Sequence, residues 1–115
     1  MVAIGFARLI VARPENRLRV GSGKGGSVRY MVIESYIQGP GPVYARAAER
    51  GRLLPPGLVY LESWIDERGL DRCFQLMETE EPSVFDQWIA NWNDLVEFEI
   101  VPVISSAEAA ARLVG

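Results

Sequence analysis

Two glutamates, Glu34 and Glu62, are the candidates for acid–base chemistry in this chain of 115 residues. Each stands in an alternating stretch of β-branched and aromatic residues, "VRYMVIESY" (28–36) and "LVYLESWID" (58–66), a pattern that predicts a strand. Burial on a sheet face would raise a carboxyl pKa toward the neutral range in which a general base works. The alternative is that both carboxylates accept hydrogen bonds from Tyr, Trp or Gln75 in a dimer interface. The residues leave both interpretations open.

Four further side chains, predicted on the same sheet face, are candidates for binding a ligand. Tyr60 and Trp64 supply aromatic surface, Gln75 supplies a hydrogen-bonding amide, and Cys73 supplies a thiol. The thiol could act as a nucleophile, but a lone cysteine in a strand is more often a small packing residue. We therefore interpret Cys73 as part of the wall of a binding site.

Composition excludes several kinds of site. The chain contains no histidine and one cysteine, so histidine-based triads, His-ligated zinc and thiolate metal sites cannot form within it. Carboxylates could hold magnesium or calcium, but no D-x-D-x-D-G spacing occurs. The stretch "GSGKGGS" (21–27) lacks the Lys-Ser/Thr pair of a Walker loop and predicts a flexible lead-in. We expect no metal, no cofactor and no nucleotide site.

Charge divides the chain into two parts. Residues 1–30 carry 6 basic groups and 1 acidic group, whereas residues 31–115 carry 6 basic and 14 acidic groups. An acidic main domain argues against a nucleic-acid partner. The apolar stretch at 2–12 is too short to span a bilayer and lacks the order of a signal peptide. We predict a cytoplasmic protein with no nucleic-acid or membrane partner, and the single cysteine agrees with a reducing compartment.

The helices and strands that must position these residues are predicted from the spacing of apolar residues and from the prolines and glycines that begin and end each element. A helix is predicted from Pro42 to Gly51. Strands at 58–66 and 71–79 flank a tight hairpin turn at Arg68-Gly69. Pro82 opens a second helix, "VEFEIVPV" (96–103) alternates as a strand, and "SSAE" (105–108) fits a capping box before a short C-terminal helix. The second helix carries four apolar residues at helical spacing, which we expect in the core: Phe85, Trp88, Ile89 and Trp92.

The order β-α-β-β-α-β predicts an α+β ferredoxin-like fold, in which two helices cover one face of a four-stranded antiparallel sheet. Strand alternation separates the two faces. The residues expected beneath the helices are Met31, Ile33, Val59, Leu61, Ile65, Phe74, Leu76, Val96, Phe98 and Ile100. Those expected on the open face are Tyr30, Val32, Glu34, Tyr36, Tyr60, Glu62, Trp64, Cys73, Gln75, Met77, Glu97, Glu99, Val101 and Val103.

The open face predicted in this way is too apolar to face water and too polar to be a plain core. Pairing two such faces about a two-fold axis would bury Tyr60, Trp64 and Met77 and leave a polar cavity between subunits. We therefore expect a homodimer of the dimeric α+β barrel type.

The chain is predicted to contain one domain with an extension at each end. Residues 1–27 are a basic, glycine-rich extension, poorly ordered or outside the natural domain. Residues 28–104 form the ferredoxin-like domain, and residues 105–115 form a short C-terminal helix. Lys-Gly-Gly ahead of Met31 can be encoded by a run resembling a ribosome-binding site, so Met1 and Met31 both remain candidates for the natural start.

Four blocks of the sequence resemble a known family. "MVIESY", "GRLLPPGLVYLESWID", "DRCFQLMETEEP" and "FDQWIANWNDLVEFEIVPV" resemble, in this order, a family of small, mostly bacterial proteins, the domain of unknown function numbered 3303. The resemblance covers residues 31 to about 110. It implies similarity to the dimeric α+β barrel group, whose members include small monooxygenases, isomerases and domains without known activity. It implies no catalytic residues.

Three functions are compatible with these observations. The first is a small homodimeric domain that binds a small organic molecule between its subunits. The second is a cofactor-free enzyme of the small monooxygenase or isomerase type, with Glu34 or Glu62 as base. The third is a structural or interaction domain without a ligand.

Overall fold

The computed structural model describes residues 26–114 of the chain. Its elements are β1 (Val28–Tyr36), α1 (Pro40–Arg50), β2 (Val59–Ile65), β3 (Arg72–Thr79), α2 (Val84–Ala90), β4 (Val96–Val103) and α3 (Ser106–Val114). The four strands form one antiparallel sheet in the order β2-β3-β1-β4. This confirms the predicted ferredoxin-like α+β fold. The predicted N-terminal extension lies outside the described residues, except for positions 26 and 27.

Helices α1 and α2 begin within two residues of their predicted starts, and α2 ends at Ala90, before Trp92 of the predicted helical stripe. Pro40 begins α1, two residues before the predicted start, and proline suits a first turn because its missing N–H needs no partner there. Gly51 ends α1 with a positive φ of 74°, and its N–H donates to the Ala47 carbonyl at 2.8 Å. The four apolar residues of the second helical stripe are all buried, as predicted: Phe85, Trp88, Ile89 and Trp92.

The β2–β3 hairpin has a longer loop than the predicted tight turn. The Asp66 N–H donates to the Arg72 carbonyl at 2.8 Å, so residues 67–71 form the loop. Asp66 Oδ1 accepts the backbone N–H of Arg68 at 3.0 Å, and Leu70 adopts a left-handed conformation with φ of 59°. An Asp side chain that closes a local turn in this way competes with a two-residue turn.

A bulge interrupts β2 one residue after Tyr60. Tyr60 pairs with Met77 of β3, but the next pair joins Glu62 to Leu76, so Leu61 has no partner of its own. The extra residue reverses the alternation of β2. Tyr60 before the bulge and Ser63 after it therefore point to the same face of the sheet.

The sheet has a covered face and an open face, and cross-strand pairs assign each residue to one of them. On the covered face, Tyr30 packs edge-to-face on Phe85 of α2, and Phe98 packs on Trp88. The covered face consists of Val28, Tyr30, Val32, Glu34, Tyr36, Tyr60, Ser63, Ile65, Cys73, Gln75, Met77, Thr79, Val96, Phe98 and Ile100. The open face consists of Arg29, Met31, Ile33, Ser35, Val59, Glu62, Trp64, Arg72, Phe74, Leu76, Glu78, Glu97, Glu99, Val101 and Val103.

This assignment corrects the predicted faces of β1 and β3, while that of β4 is confirmed. The residues wrongly expected under the helices are Met31, Ile33, Val59, Phe74 and Leu76, which lie on the open face. Those wrongly expected on the open face are Tyr30, Val32, Glu34, Tyr36, Tyr60, Cys73, Gln75 and Met77. Both parities of β1 and β3 are apolar, so alternation alone does not choose between them. The pairing with β4, whose parity is unambiguous, decides the matter because Glu34 lies opposite Phe98.

The C-terminal helix α3 has the predicted capping box. The Ser105 N–H donates to Glu108 Oε1 at 2.9 Å, and the Glu108 N–H donates to Ser105 Oγ at 3.0 Å. No residue of α3 is buried, and Leu113 and Val114 are exposed. No helix within residues 26–114 has the length and apolar character needed to cross a bilayer.

Candidate functional site

A cavity of about 350 Å³ lies between the covered face of the sheet and the two helices that pack on it. The strands contribute its polar floor, and α1, α2 and the loops after them contribute mostly aliphatic and aromatic walls. The lining residues are Glu34, Tyr36, Val43, Tyr44, Ala47, Gly51, Arg52, Ser63, Cys73, Gln75, Trp88 and Trp92. A volume near the lower end of the usual range for ligand pockets corresponds to a small organic molecule.

A chain of hydrogen bonds crosses the floor of the cavity from β1 to the rim. Gln75 Nε2 donates to Glu34 Oε2 at 2.6 Å, and Gln75 Oε1 accepts from Arg52 Nη1 at 2.9 Å. The Arg52 guanidinium carbon lies 3.6 Å from the ring centroid of Tyr60. The Tyr60 hydroxyl is 2.8 Å from Ser63 Oγ. Both ends of the Gln75 amide are therefore occupied by protein groups, which fixes its orientation.

Glu34 is 5% exposed, and its environment favours the neutral carboxylic acid. Burial raises its pKa from 4.5 to about 7, because a charged carboxylate loses its hydration there. Three neighbours oppose this rise: the Gln75 amide, the Arg52 charge and the Tyr36 hydroxyl. The side chain therefore exists in both protonation states at neutral pH.

The other ionisable groups around Glu34 keep one protonation state through neutral pH. Burial and, after it, the nearby Glu34 charge raise the pKa of the Cys73 thiol to about 11. The pKa of Tyr36 is raised mainly by burial, as is that of Tyr44. A protonated Cys73 is a packing group rather than an activated nucleophile. Glu34 is thus the group of this cavity that can exchange a proton near pH 7.

The position of Arg52 is set by its backbone as well as by its side chain. The indole Nε1 groups of Trp88 and Trp92 both donate to the Arg52 carbonyl at 3.0 Å. The Asn91 side chain donates to the next carbonyl, Leu53 O, at 3.2 Å. These bonds tie the loop after α1 to the end of α2 and hold the Arg52 side chain at the rim of the cavity.

The cavity contains three of the six predicted site residues. Glu34, Cys73 and Gln75 line it, and Tyr60 lies beside it under the Arg52 guanidinium. Glu62 and Trp64 lie on the open face, as predicted, but Glu34 lies on the covered face, so the prediction that the three share a face is wrong. This cavity lies within one chain, and the expected cavity between subunits stays a prediction.

Sequence reasoning missed Arg52, which stands in a loop without a recognisable motif. The available signal is the spacing of Trp88 and Trp92, which predicts two indole N–H donors on one side, one from α2 and one from the turn after it. Buried indoles need acceptors, so a loop carbonyl facing that side could have been expected. Which loop supplies it depends on the tertiary structure.

Other candidates for a site within residues 26–114 are a metal cluster and a second cavity. No group of three or more Asp, Glu or Cys side chains is arranged to hold a metal ion within this range. A second, acidic depression lies near Glu78 and Glu81, and polar groups that line it hydrogen-bond to one another. Ser27 Oγ donates to Glu78 Oε2 at 2.6 Å, and the Glu81 N–H donates to Thr79 Oγ1 at 3.0 Å.

Comparison with known proteins identifies one family. The family described as "Domain of unknown function (DUF3303)" matches residues 28–115 of the chain. No curated protein and no solved structure matches the chain. The matched range includes every strand and helix of the fold and all residues that line the cavity.

Proposed function

The chain belongs to the DUF3303 family, whose description names no activity, and we propose from its geometry that it binds a small organic molecule in the cavity. The observation that carries the proposal is Glu34, a buried carboxyl group on the floor of an open cavity. Gln75 and Tyr36 hydrogen-bond this carboxyl in the free protein, yet burial still raises its pKa, so its partners compensate the charge only in part. A ligand that contacts Glu34 supplies a further partner, while the aromatic walls hold the apolar part of the molecule.

A steric test separates the cavity from the rest of the surface. Ala47 of α1 lines the cavity, whereas its neighbour Ala48 is exposed. We expect native mass spectrometry of the purified protein, together with a thermal-shift screen of small aromatic metabolites, to reveal a ligand. A ligand at a hundred times its Kd stabilises a domain by about 2.7 kcal/mol, which is roughly 10–20 °C for a domain of this size. Ala47→Phe should abolish the shift, and the control Ala48→Phe should retain it.

The same screen distinguishes this function from a domain without a ligand. If no compound shifts the thermal midpoint and the purified protein carries no bound molecule, the binding function is wrong. The third function inferred from the sequence, a structural or interaction domain, would then account better for the fold.

A second candidate function is proton transfer without a cofactor, as in an isomerase. It is favoured by one observation, the pKa of Glu34 near 7, which suits a general base or acid at neutral pH. Glu62 does not share this role, because it is exposed on the open face. The test is exchange of a ligand C–H for deuterium in D₂O, followed by NMR. Exchange that disappears in Glu34→Gln would support catalysis, and a ligand bound without exchange would leave binding as the function.

The open face supports a second part of the proposal, a homodimer formed by two such faces. Trp64 is 51% exposed, and the apolar side chains Met31, Ile33, Phe74 and Leu76 form the centre of the face. Four strands of about eight residues offer roughly 500 Å² of flat area before side chains are counted. That approaches the roughly 800 Å² per partner of a standard interface. A second copy of the chain is the occupant that we propose.

Sedimentation at micromolar concentration tests the dimer. The wild-type protein should sediment as a dimer, and Trp64→Glu should sediment as a monomer because it places a charge in a desolvated contact. Ala48→Glu, on the exposed side of α1, is the control and should leave the dimer intact. A monomeric wild-type protein would refute this part of the proposal while leaving the cavity within each chain unaffected.

A further inference from the structure

Arg52 is one of several arginines of residues 26–114 that form no ion pair, and it is the one of them that lines the cavity. Arg46 forms an ion pair with Asp94 at 2.8 Å, and Arg68 pairs with Asp66 at 2.9 Å. Within residues 26–114 Arg52 forms no such pair, although its charge acts on Glu34 across the Gln75 amide. A guanidinium that borders a cavity and is not neutralised there is available to an anion.

The guanidinium of Arg52 is also held in place before any ligand arrives. The Arg52 carbonyl accepts hydrogen bonds from two indole N–H groups, and Arg52 Nη1 donates to Gln75 Oε1. The guanidinium carbon lies 3.6 Å from the centroid of the Tyr60 ring. An arginine that stacks on an aromatic ring keeps its planar fork oriented, which favours bidentate binding of a carboxylate. Little side-chain entropy remains to be lost when the anion binds.

We propose that the ligand of this cavity is a small organic acid, whose carboxylate binds Arg52 and whose binding is accompanied by net proton uptake at Glu34. This inference rests on the proposed binding function and specifies its ligand class. The carboxylate lies at the rim, and the apolar body lies against the walls formed by Tyr44, Trp88 and Trp92. Glu34, once protonated, donates its O–H to an acceptor on the ligand. No covalent bond forms, and the proton comes from solvent.

The proton balance follows from the charges around Glu34. A ligand carboxylate repels the Glu34 carboxylate and also neutralises Arg52, whose charge lowers the pKa of Glu34 in the free protein. Both effects stabilise the protonated form. The other groups facing Glu34 are Tyr36, Tyr44 and Cys73, whose raised pKa values keep them protonated near pH 7. Since Glu34 is already partly protonated near pH 7 in the free protein, we expect a net uptake of less than one proton per site.

A cationic ligand would reverse this sign. An ammonium group beside Glu34 would favour the carboxylate and release a proton, and it would be repelled by Arg52. The direction of proton transfer on binding therefore distinguishes the two ligand classes. The Arg52 charge, which has no ion-pair partner, favours an anionic ligand, and such a ligand binds with proton uptake.

The experiment is isothermal titration calorimetry with three aromatic probes of similar size but different charge: benzoate, benzamide and benzylamine. Titrations at pH 7 in two buffers of different ionisation enthalpy give the number of protons taken up. We expect benzoate to bind at least about tenfold more tightly than benzamide, since one charge-assisted bond contributes about that factor. Arg52→Gln should remove this preference, because the indole bonds to the residue 52 carbonyl do not depend on the side chain. Arg50→Gln, at the end of α1, is the control and should retain it.

The outcomes separate this inference from the binding function. The proposal of an organic-acid ligand is supported if benzoate binds preferentially with proton uptake and if Glu34→Gln loses that uptake. Binding of benzamide or benzylamine as tightly as benzoate, or benzoate binding unaffected by Arg52→Gln, overturns the acid and leaves the cavity as a binding site. Failure of all three probes also overturns the inference for acids of this size. The binding function then depends on the separate Ala47→Phe screen.

Discussion

Glu34 and Glu62 are the same residue type on the same sheet, separated by one intervening strand, yet they have different surroundings. Glu34 lies on the covered face, where helices exclude water and burial raises its pKa to about 7. Glu62 lies on the open face and is exposed. Arginine–aromatic contacts occur on both faces as well, with Arg52 on Tyr60 and Arg72 on Phe74. Residue type alone does not make a site here. The cover provided by α1 and α2 does.

The largest expected difference between the faces concerns two consecutive residues of β1. Val32 is fully buried on the covered face, and Ile33 lies on the open face. Val32→Asp should cost more than about 4 kcal/mol of unfolding free energy, because it buries an unpaired carboxylate. Ile33→Asp should cost about 1 kcal/mol in the monomer, mainly through strand propensity. Urea denaturation of both variants in the monomeric Trp64→Glu background measures the difference, and equal losses would mean that the faces are wrongly assigned.

An intermediate effect is expected at Glu34, and it depends on pH. Its folded pKa of about 7 exceeds the unfolded value of 4.5, so its contribution favours folding at low pH. That contribution is fully present below pH 4.5 and is lost as the pH rises from 4.5 to about 7. Glu34→Gln should therefore be more stable than the wild type by about 3 kcal/mol at pH 8, and by no more than about 1 kcal/mol at pH 5.

Glu62→Gln is the matched control for this effect. Because Glu62 is exposed, its replacement should change the unfolding free energy by less than about 0.5 kcal/mol at every pH. Denaturation curves collected from pH 5 to pH 8 compare the two variants directly. A Glu34→Gln curve parallel to that of the wild type would remove the case for Glu34 as a group that changes protonation near neutrality.

The smallest expected difference concerns the two arginine–aromatic contacts. Arg52→Ala removes the 3.6 Å contact with Tyr60 and the donor to Gln75, and should cost about 1–2 kcal/mol. Arg72→Ala removes a looser contact with Phe74, at 5.0 Å, and should cost less than about 0.5 kcal/mol. Thermal denaturation of the two variants at pH 7 orders them. If Arg72→Ala were the more destabilising, the open face would contribute more to the monomer than its exposure indicates.

The fold was predictable because its signals are local. The strands and helices, the stop at Gly51 and the capping box at Ser105 each follow from a few neighbouring residues, and the structure has them all. The faces of β1 and β3 were not predictable, because consecutive residues such as Val32 and Ile33 are both apolar. Only the pairing of β1 with β4 shows which of the two lies on the covered face. The face of Tyr60 depends on the bulge beside it.

The candidate site was predictable only in part. Glu34, Cys73 and Gln75 could be selected because they are polar or reactive residues in otherwise apolar strands. Arg52 could not, since its role comes from a loop placed by side chains about 40 residues later in the chain. Its contacts are long-range, and no local pattern encodes them.

The three tryptophans of the chain are divided between the two faces in a way that makes them natural optical probes. Trp88 and Trp92 line the cavity with their indole N–H groups fixed on one carbonyl, so ligand entry alters the polarity around them. Trp64 is half exposed on the opposite face, and its emission wavelength responds to whatever covers that face. With Trp64 replaced by Phe, the remaining fluorescence reports on the cavity. With Trp88 and Trp92 replaced instead, it reports on the open face, and both events can be followed without an attached dye.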